Sequence, residues 1–497
     1  MSALLARLDE LLRSRAAWAV VCAVVLAVQG AFMLLLSAPG RANVDVVYQA
    51  RQALGEIPYN DWHPPVMSAL WELLIDLTGD IGSLFRLQTG FFLLTVWASA
   101  LLVHRVTGHR RWTLWMLLLP LAPWVLGQTA VLWKDTQMAV ALLAGCLCLF
   151  FIDVRRRGTW VLVLPALVLL SYATAVRKNA VFAVVPIAVY LGVLLAQVVW
   201  KRFYRAGGGR RWVRLTAASL VALLVLGASS ALLDRGVTVA KEVQPTSSLA
   251  TVMLDDVTFS VPEAELRASD APPELVQRIL DSRTRCREID EAWDSYLHCF
   301  GRGGAELFAP VEDAEAIQEL WVEHVLPHPG RYLLYRSGVF SYYFFSSALE
   351  WWPYGWREDA EPVGLGPQNY NADLLARYYV VDFAAETFPM LFKPWFWSAL
   401  GIACVVLSRR AGRRLQGPVL ALAWSALAYV AGYLPIAPAN HFRYTFWPAL
   451  AVSVALGLLC AGWWARHRGH RPDGVESEAA AAEERAERGT APRRRAT

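Results

Sequence analysis

Residues 45–80 read DVVYQARQALGEIPYNDWHPPVMSALWELLIDLTGD. They follow a first apolar segment, yet they cannot cross a membrane themselves. Asp45, Arg51, Glu56, Asp61 and His63 would all enter hydrocarbon, at a few kcal/mol each. From Pro65 onward the pattern changes. Met67, Leu70, Trp71, Leu74 and Leu77 recur at helical spacing, with Glu72 and Asp76 elsewhere on the wheel. This spacing predicts an amphipathic helix lying in the membrane interface. The stretch therefore reads as a first external loop pinned to the bilayer surface, with a His-Pro-Pro turn at its centre.

The rest of the chain agrees. Of 497 residues, 56% are hydrophobic, only 18% are charged, and 22 are Trp. A soluble chain would carry more charge. Apolar runs at 17–37, 82–103, 113–132, 136–153, 159–176, 180–200, 213–233, 389–407, 417–437 and 444–463 approach the ~20 residues that cross a bilayer. That predicts an all-α polytopic membrane protein with about ten spans. The first span reads as an uncleaved anchor, because no convincing small-residue cleavage site follows it.

Charge sorts the loops. His104-Arg105 with His109-Arg110-Arg111, then Arg155–Arg157, Lys201-Arg202 with Arg210-Arg211, and Arg409-Arg410 with Arg413-Arg414 fall after every second span. The positive-inside rule places these loops in the cytoplasm. The alternation works only if 65–80 is not a span. Basic clusters confined to short loops between apolar runs argue against a nucleic-acid partner.

Four units follow. Residues 1–233 form an N-terminal transmembrane module with an external catalytic loop at 38–80. Residues 234–388 form an external, partly membrane-docked region, whose aromatic end SGVFSYYFFSSALEWWPYGW suits the headgroup zone. Residues 389–466 supply the C-terminal spans. Residues 467–497, rich in Ala, Glu and Arg, form a disordered cytoplasmic tail. Five cysteines sit in apolar runs as small core residues. Cys286 and Cys299 lie in the external region, where oxidation is favoured, and are expected to form a disulfide.

Ionisable residues at the outer ends of apolar runs are the functional candidates. They are Asp45, Asp61 and His63 in the first loop, Lys134 and Asp135 in LWKDTQ, Arg177, Lys178 and Asn179 in AVRKNA, and His441, Arg443 and Tyr444 in PANHFRYTFWP. A carboxylate can act as general base on a hydroxyl. Cations can hold a phosphate and stabilise it as a leaving group. His63 titrates near neutrality and is open as base, phosphate contact or helix-start residue. The prolines after it stiffen the turn into a helix. No nucleotide-binding glycine loop, HExxH motif, Cys/His metal cluster or GxSxG elbow is present.

These motifs together resemble the GT-C superfamily of membrane glycosyltransferases, in the branch holding protein O-mannosyltransferases and bacterial aminoarabinose transferases. Asp45 matches the acidic residue after that family's first span, and His63-Pro64-Pro65 its [HK]PP turn. Lys134-Asp135-Thr136, Arg177-Lys178-Asn179 and His441–Tyr444 look like motifs of its bacterial members. The resemblance spans most of the helix layout, is specific over 45–65 and is loose over 234–388. It implies a GT-C-like bundle with interfacial helices in the first external loop. It implies inverting transfer of a sugar from a polyprenyl-phosphate donor to an envelope glycan, lipid or protein, on the outer face of a bacterial plasma membrane. Asp45 becomes the expected base. Lys134, Arg177, Lys178, His441, Arg443 and Tyr444 become candidates for the donor phosphate, with Asp135 and Asn179 in the same cavity. Val46 stands where the family commonly has a second acid, which keeps Asp61 open as base and weakens the option of a divalent cation as cofactor. A flippase for a lipid-linked sugar and a non-catalytic envelope assembly factor are the rival functions.

Overall fold

A run of apolar residues in hydrocarbon must satisfy its backbone internally, and the helix does this within one segment. The computed structural model describes residues 14–203, 211–290, 292–295, 313–346, 360–366 and 369–467. The basic start up to residue 13, the glycine loop 204–210, Cys299, the aromatic stretch 347–356 and the tail from 468 lie outside the described residues. The described residues are all-helical and contain no strand.

The N-terminal part comprises α1 (Arg15–Ser37), α2 (Val44–Ala53), α3 (Val66–Thr78), α4 (Ser83–Thr107), α5 (Lys134–Phe150), α6 (Val163–Val176), α7 (Ala180–Phe203) and α8 (Arg211–Ala240). The next region holds α9 (Ala250–Ser260), α10 (Pro273–Glu288) and α11 (Pro329–Phe345), with shorter turns between. Helices α12 (Pro394–Leu407), α13 (Arg413–Ala431) and α14 (Phe446–His467) close the bundle.

Among the described residues, six segments are long and apolar enough to cross a membrane: Arg15–Ser37, Ser83–Thr107, Arg157–Val176, Ala180–Val198, Trp212–Ala240 and Phe442–His467. That is the pattern of a helical membrane protein. The other four predicted spans depart from it for local reasons. The run at 113–132 breaks into Arg111–Leu118, a short turn and Pro123–Thr129. Pro120 and Pro123 remove the N–H groups that would continue the helix. Helix α5 has 17 residues and is buried over nearly its whole length. Helix α12 has 14 residues, and α13 opens on Arg413 and Arg414.

Burial orders the bundle. The most apolar window of α14 is 89% buried, against 11% for the one in α8. Helix α14 therefore forms the centre, packing on α4, α5, α12 and α13. Close approach there uses small residues, as helix contacts in membranes do. A Cβ on Gly462 would lie 2.1 Å from the carbonyl oxygen of Ala411.

Helix α3 forms where the helical spacing predicts it. It packs through its first half, burying Met67 and Trp71, and leaves Leu73 and Leu77 exposed. Leu77 is thus exposed, not on the buried side with Met67. Trp71 fixes the helix end by donating to the Ile81 carbonyl at 2.8 Å.

The region after α8 has its own core, built from Leu254, Val257, Leu266, Leu275, Ile279 and Ile317. Cys286 is disulfide-bonded. The fully buried Arg336 joins this region to the bundle. Its Nε lies 2.6 Å from Asp256, and its other nitrogens donate to the Ala437 and Val252 carbonyls at 3.1 and 2.7 Å. The segment 369–385 docks elsewhere. Asn369 donates to the Leu35 carbonyl, Asp373 pairs with Arg41 at 2.7 Å, and Tyr379 donates to the Leu121 carbonyl.

Candidate functional site

The site begins with backbone pairing. Arg41 and Val131 form an isolated parallel bridge. The Arg41 N–H donates to Ala130, and the Leu132 N–H donates to Arg41, at 3.0 and 3.2 Å. This aligns the chain entering α2 with the chain entering α5. Gln88 on α4 holds the second of these segments from behind. Its amide donates to the Thr129 and Val131 carbonyls at 2.9 and 3.0 Å and accepts from Gln137 at 2.7 Å. Buried amides of this kind fix one backbone geometry when fully bonded.

A second bridge joins Asn60 and Gln244, so the first loop is held at both ends. Inside the loop, Gln52 donates to Asn60 and accepts from Ser68 at 3.0 Å, while Asn60 donates to Tyr48. The prolines do what the sequence indicates: Pro65 is the residue before α3, and the turn presents His63 inward, 7% exposed.

Four chain ends then meet. Asp45 sits in the first turn of α2, capped by Asn43. Lys134 and Asp135 open α5. Arg177 caps the end of α6. His441, Arg443 and Tyr444 lie just before α14. Arg443 Nη1 donates to Asp45 Oδ2. Lys134 Nζ lies 2.6 Å from His63 Nδ1, and His63 Nε2 lies 3.8 Å from Asp45 Oδ1. Arg177 Nε lies 3.0 Å from Asp135, which is fully buried. His441 accepts from the Arg443 N–H at 3.2 Å. Asn179 donates to the Tyr429 hydroxyl at 3.4 Å.

Aromatic rings wall the cluster. The guanidinium of Arg177 lies 5.0 Å and that of Arg443 5.1 Å from the Tyr444 ring centre. Arg443 also lies 5.8 Å from Trp133, and Trp133 meets His441 edge-on. Such cation–ring contacts strengthen where water is excluded. Tyr433 stacks on Tyr444 at 5.4 Å and accepts from Arg177 at 3.3 Å.

The electrostatics follow. Burial disfavours the charge on Asp45, but Arg443, with Lys134 beyond it, outweighs burial and holds the carboxyl well below the usual carboxylate range. Burial comes first for His63 too, and Lys134 adds to it against the opposing pull of Asp45, so the imidazole is pushed down to about 3. His63 is therefore neutral at physiological pH. Burial and Arg177 push Lys134 down to about 7, so two guanidiniums, Arg177 and Arg443, and the Lys134 amine face two carboxylates, Asp45 and Asp135.

Two sequence candidates stand apart. Asp61 accepts from the Thr246 N–H and hydroxyl, both at 2.6 Å, and so ties the first loop to the chain after α8. Lys178 points outward with a 60% exposed side chain and pairs with Asp234 at 2.6 Å. Trp133, Tyr429 and Tyr433 were not singled out from sequence. Their only signal is the spacing of two tyrosines four apart in an apolar run, and a Trp directly before Lys134. Among the described residues, no group of three or more His, Cys, Asp or Glu side chains is placed to hold a metal ion.

Comparisons of the chain with protein-family models, with curated proteins and with solved structures found no match.

Proposed function

We propose that this protein is a membrane glycosyltransferase. It moves a sugar from a polyprenyl-phosphate donor to an envelope acceptor, at the outer face of a bacterial plasma membrane. The observation that carries the reading is the Asp45 carboxylate. One of its oxygens is engaged by Arg443, and the other faces His63, beside Lys134 and Arg177, at one end of an apolar bundle.

In this reading Arg177, Arg443 and Lys134 bind the donor phosphate. The N-termini of α5 and α14 open at the same place and favour an anion there. His441 holds the Arg443 backbone, and Tyr444 carries the two guanidiniums on its ring. Asp45 is the base. A carboxylate held far below neutrality is a weak base, and Arg443 is what holds it there. An arriving phosphate competes for Arg443, and as that guanidinium turns to phosphate Asp45 regains affinity for a proton. Asp45 is thereby activated by donor binding. Transfer from the face opposite the phosphate inverts the anomeric centre. Asp61 and Lys178 support the loop scaffold from outside this cluster. Both termini face the cytoplasm, and the 38–80 loop faces outside.

The experiment is transfer by the purified full-length protein in nanodiscs. The donors are synthetic C55 polyprenyl phosphates bearing different hexoses and pentoses, and release of polyprenyl phosphate is followed. The expected result is turnover with at least one donor, lost in Asp45→Asn. Turnover unchanged in Asp45→Asn, or lipid translocation without sugar release, overturns the reading.

A further inference from the structure

Lys134 Nζ and His63 Nδ1 are 2.6 Å apart. At that separation one nitrogen donates and the other accepts. Burial and Arg177 push Lys134 down to about 7; below that pH it is an ammonium with three donors and no lone pair, so His63 Nδ1 is the acceptor and its ring proton sits on Nε2. This is a tautomer assignment made from the bonding partner. Nε2 then faces Asp45 Oδ1 at 3.8 Å, too far for a direct hydrogen bond. The other Asp45 oxygen is engaged by Arg443. A donor and an acceptor thus confront each other across a gap.

An oxygen atom can sit about 2.8 Å from both. It must accept from Nε2–H and donate to Oδ1. A neutral hydroxyl does both. A phosphate oxygen cannot, because it has no proton for Oδ1 and would be repelled. An ammonium cannot accept. Arg443, on the other Asp45 oxygen, leaves the phosphate its own place.

We infer that His63 is an acceptor-binding residue: its Nε2–H holds the nucleophilic hydroxyl of an alcohol acceptor against Asp45 Oδ1, and Lys134 is the positioning residue that fixes this tautomer. The inference rests on the transferase reading above and narrows the acceptor to an alcohol. In the step it describes, Asp45 Oδ1 takes the hydroxyl proton. The oxygen lone pair forms the bond to the anomeric carbon of the sugar. The bond from that carbon to the phosphate oxygen breaks, and its electron pair leaves on the phosphate. His63 keeps its proton throughout and acts neither as base nor as phosphate ligand.

The test has two arms on the full-length protein in nanodiscs. In the first, 15N-histidine is incorporated, and the His63 ring signals are identified by their loss in His63→Gln. The neutral Nε2–H tautomer is expected from pH 5 to 6, where Lys134 is an ammonium, with Lys134→Met shifting the ring toward the Nδ1–H form. An Nδ1–H ring in the unaltered protein, or an imidazolium at pH 6, overturns the inference. In the second, transfer from synthetic C55 polyprenyl-phosphate hexoses to methyl glycosides is measured. His63→Ala is expected to raise the acceptor KM by about tenfold, the scale of one lost neutral hydrogen bond, with the donor KM changed far less. His63→Gln, which restores an N–H donor, recovers part of the loss. A rise confined to the donor KM overturns it. If the unaltered protein transfers no sugar at all, the transferase reading fails, while the tautomer arm still decides whether His63 presents Nε2–H to Asp45.

Discussion

Arg443 donates a hydrogen bond to Asp45 across 398 positions of the chain. The contact joins the first turn of α2 to the turn just before α14, so the first loop is tied to the helix at the centre of the bundle. It also leaves one Asp45 oxygen unclaimed, which is the oxygen that faces His63.

This pair is half-buried, with side-chain exposures of 11% and 21%. Removing either partner leaves the other partly desolvated and uncompensated. Asp45→Asn and Arg443→Met are each expected to lower thermal stability. The double variant should lose less than the sum, by about 1–3 kcal/mol of coupling. Thermal unfolding in detergent of the four proteins of this cycle checks it. In transfer assays Asp45→Asn should cost roughly 10²–10⁴-fold in rate.

The His63 imidazole is pushed down to about 3 by burial and Lys134, against about 6.5 in an unfolded chain. Between those values the unfolded state binds a proton that the folded state does not. Stability therefore rises with pH through this window and is lost as pH falls. From pH 6.5 to 5 the His63 contribution is about 2 kcal/mol. Asp45, Lys134, Arg177 and Arg443 face the ring in the folded protein. The unfolding temperature of the unaltered protein should thus drop more between pH 7 and pH 5 than that of His63→Gln.

Asp61 bonds Thr246 twice and does not reach the cluster around Asp45. Asp61→Ala should destabilise the protein by about 1–2 kcal/mol, as loss of a capping carboxylate does. The transfer rate per folded molecule should stay within about twofold, since no phosphate or hydroxyl contact is removed. Circular dichroism melts and transfer assays on the same sample separate the two effects.

Arg336 is fully buried between Asp256 and two carbonyls. Arg336→Met leaves Asp256 buried with, among the described residues, the Trp321 N–H at 2.9 Å. The expected loss is about 3–5 kcal/mol. Because Ala437 lies on the loop leading to His441, the variant should also loosen the region after α8. Limited proteolysis between residues 250 and 345 reads this directly: the unaltered protein is cut slowly and the variant quickly.

Much of this was legible along the chain. The apolar runs, the non-spanning first loop and the helix after Pro65 are local, because length, charge and proline chemistry act within a few residues. The candidate residues of Lys134-Asp135, Arg177 and His441–Tyr444 were legible as well, since ionisable groups beside apolar runs are rare and expensive. The departures were also local. Pro120 and Pro123 divide the run at 113–132, and the helix opening at Lys134 is 17 residues long.

What the sequence by itself determined was which segments are helical and which polar residues lie at their ends. Which of those residues share a site was decided only in three dimensions. Arg177 and Lys178 are adjacent, yet the first is buried against Asp135 and the second is exposed on Asp234. Asp45 and Asp61 share one loop, yet one meets Arg443 and the other Thr246. At a helix end successive side chains diverge, and a pairing between distant positions depends on how the helices pack. Sequence spacing carries no term for that, so the site emerges only when α2, α5, α6 and α14 are brought together.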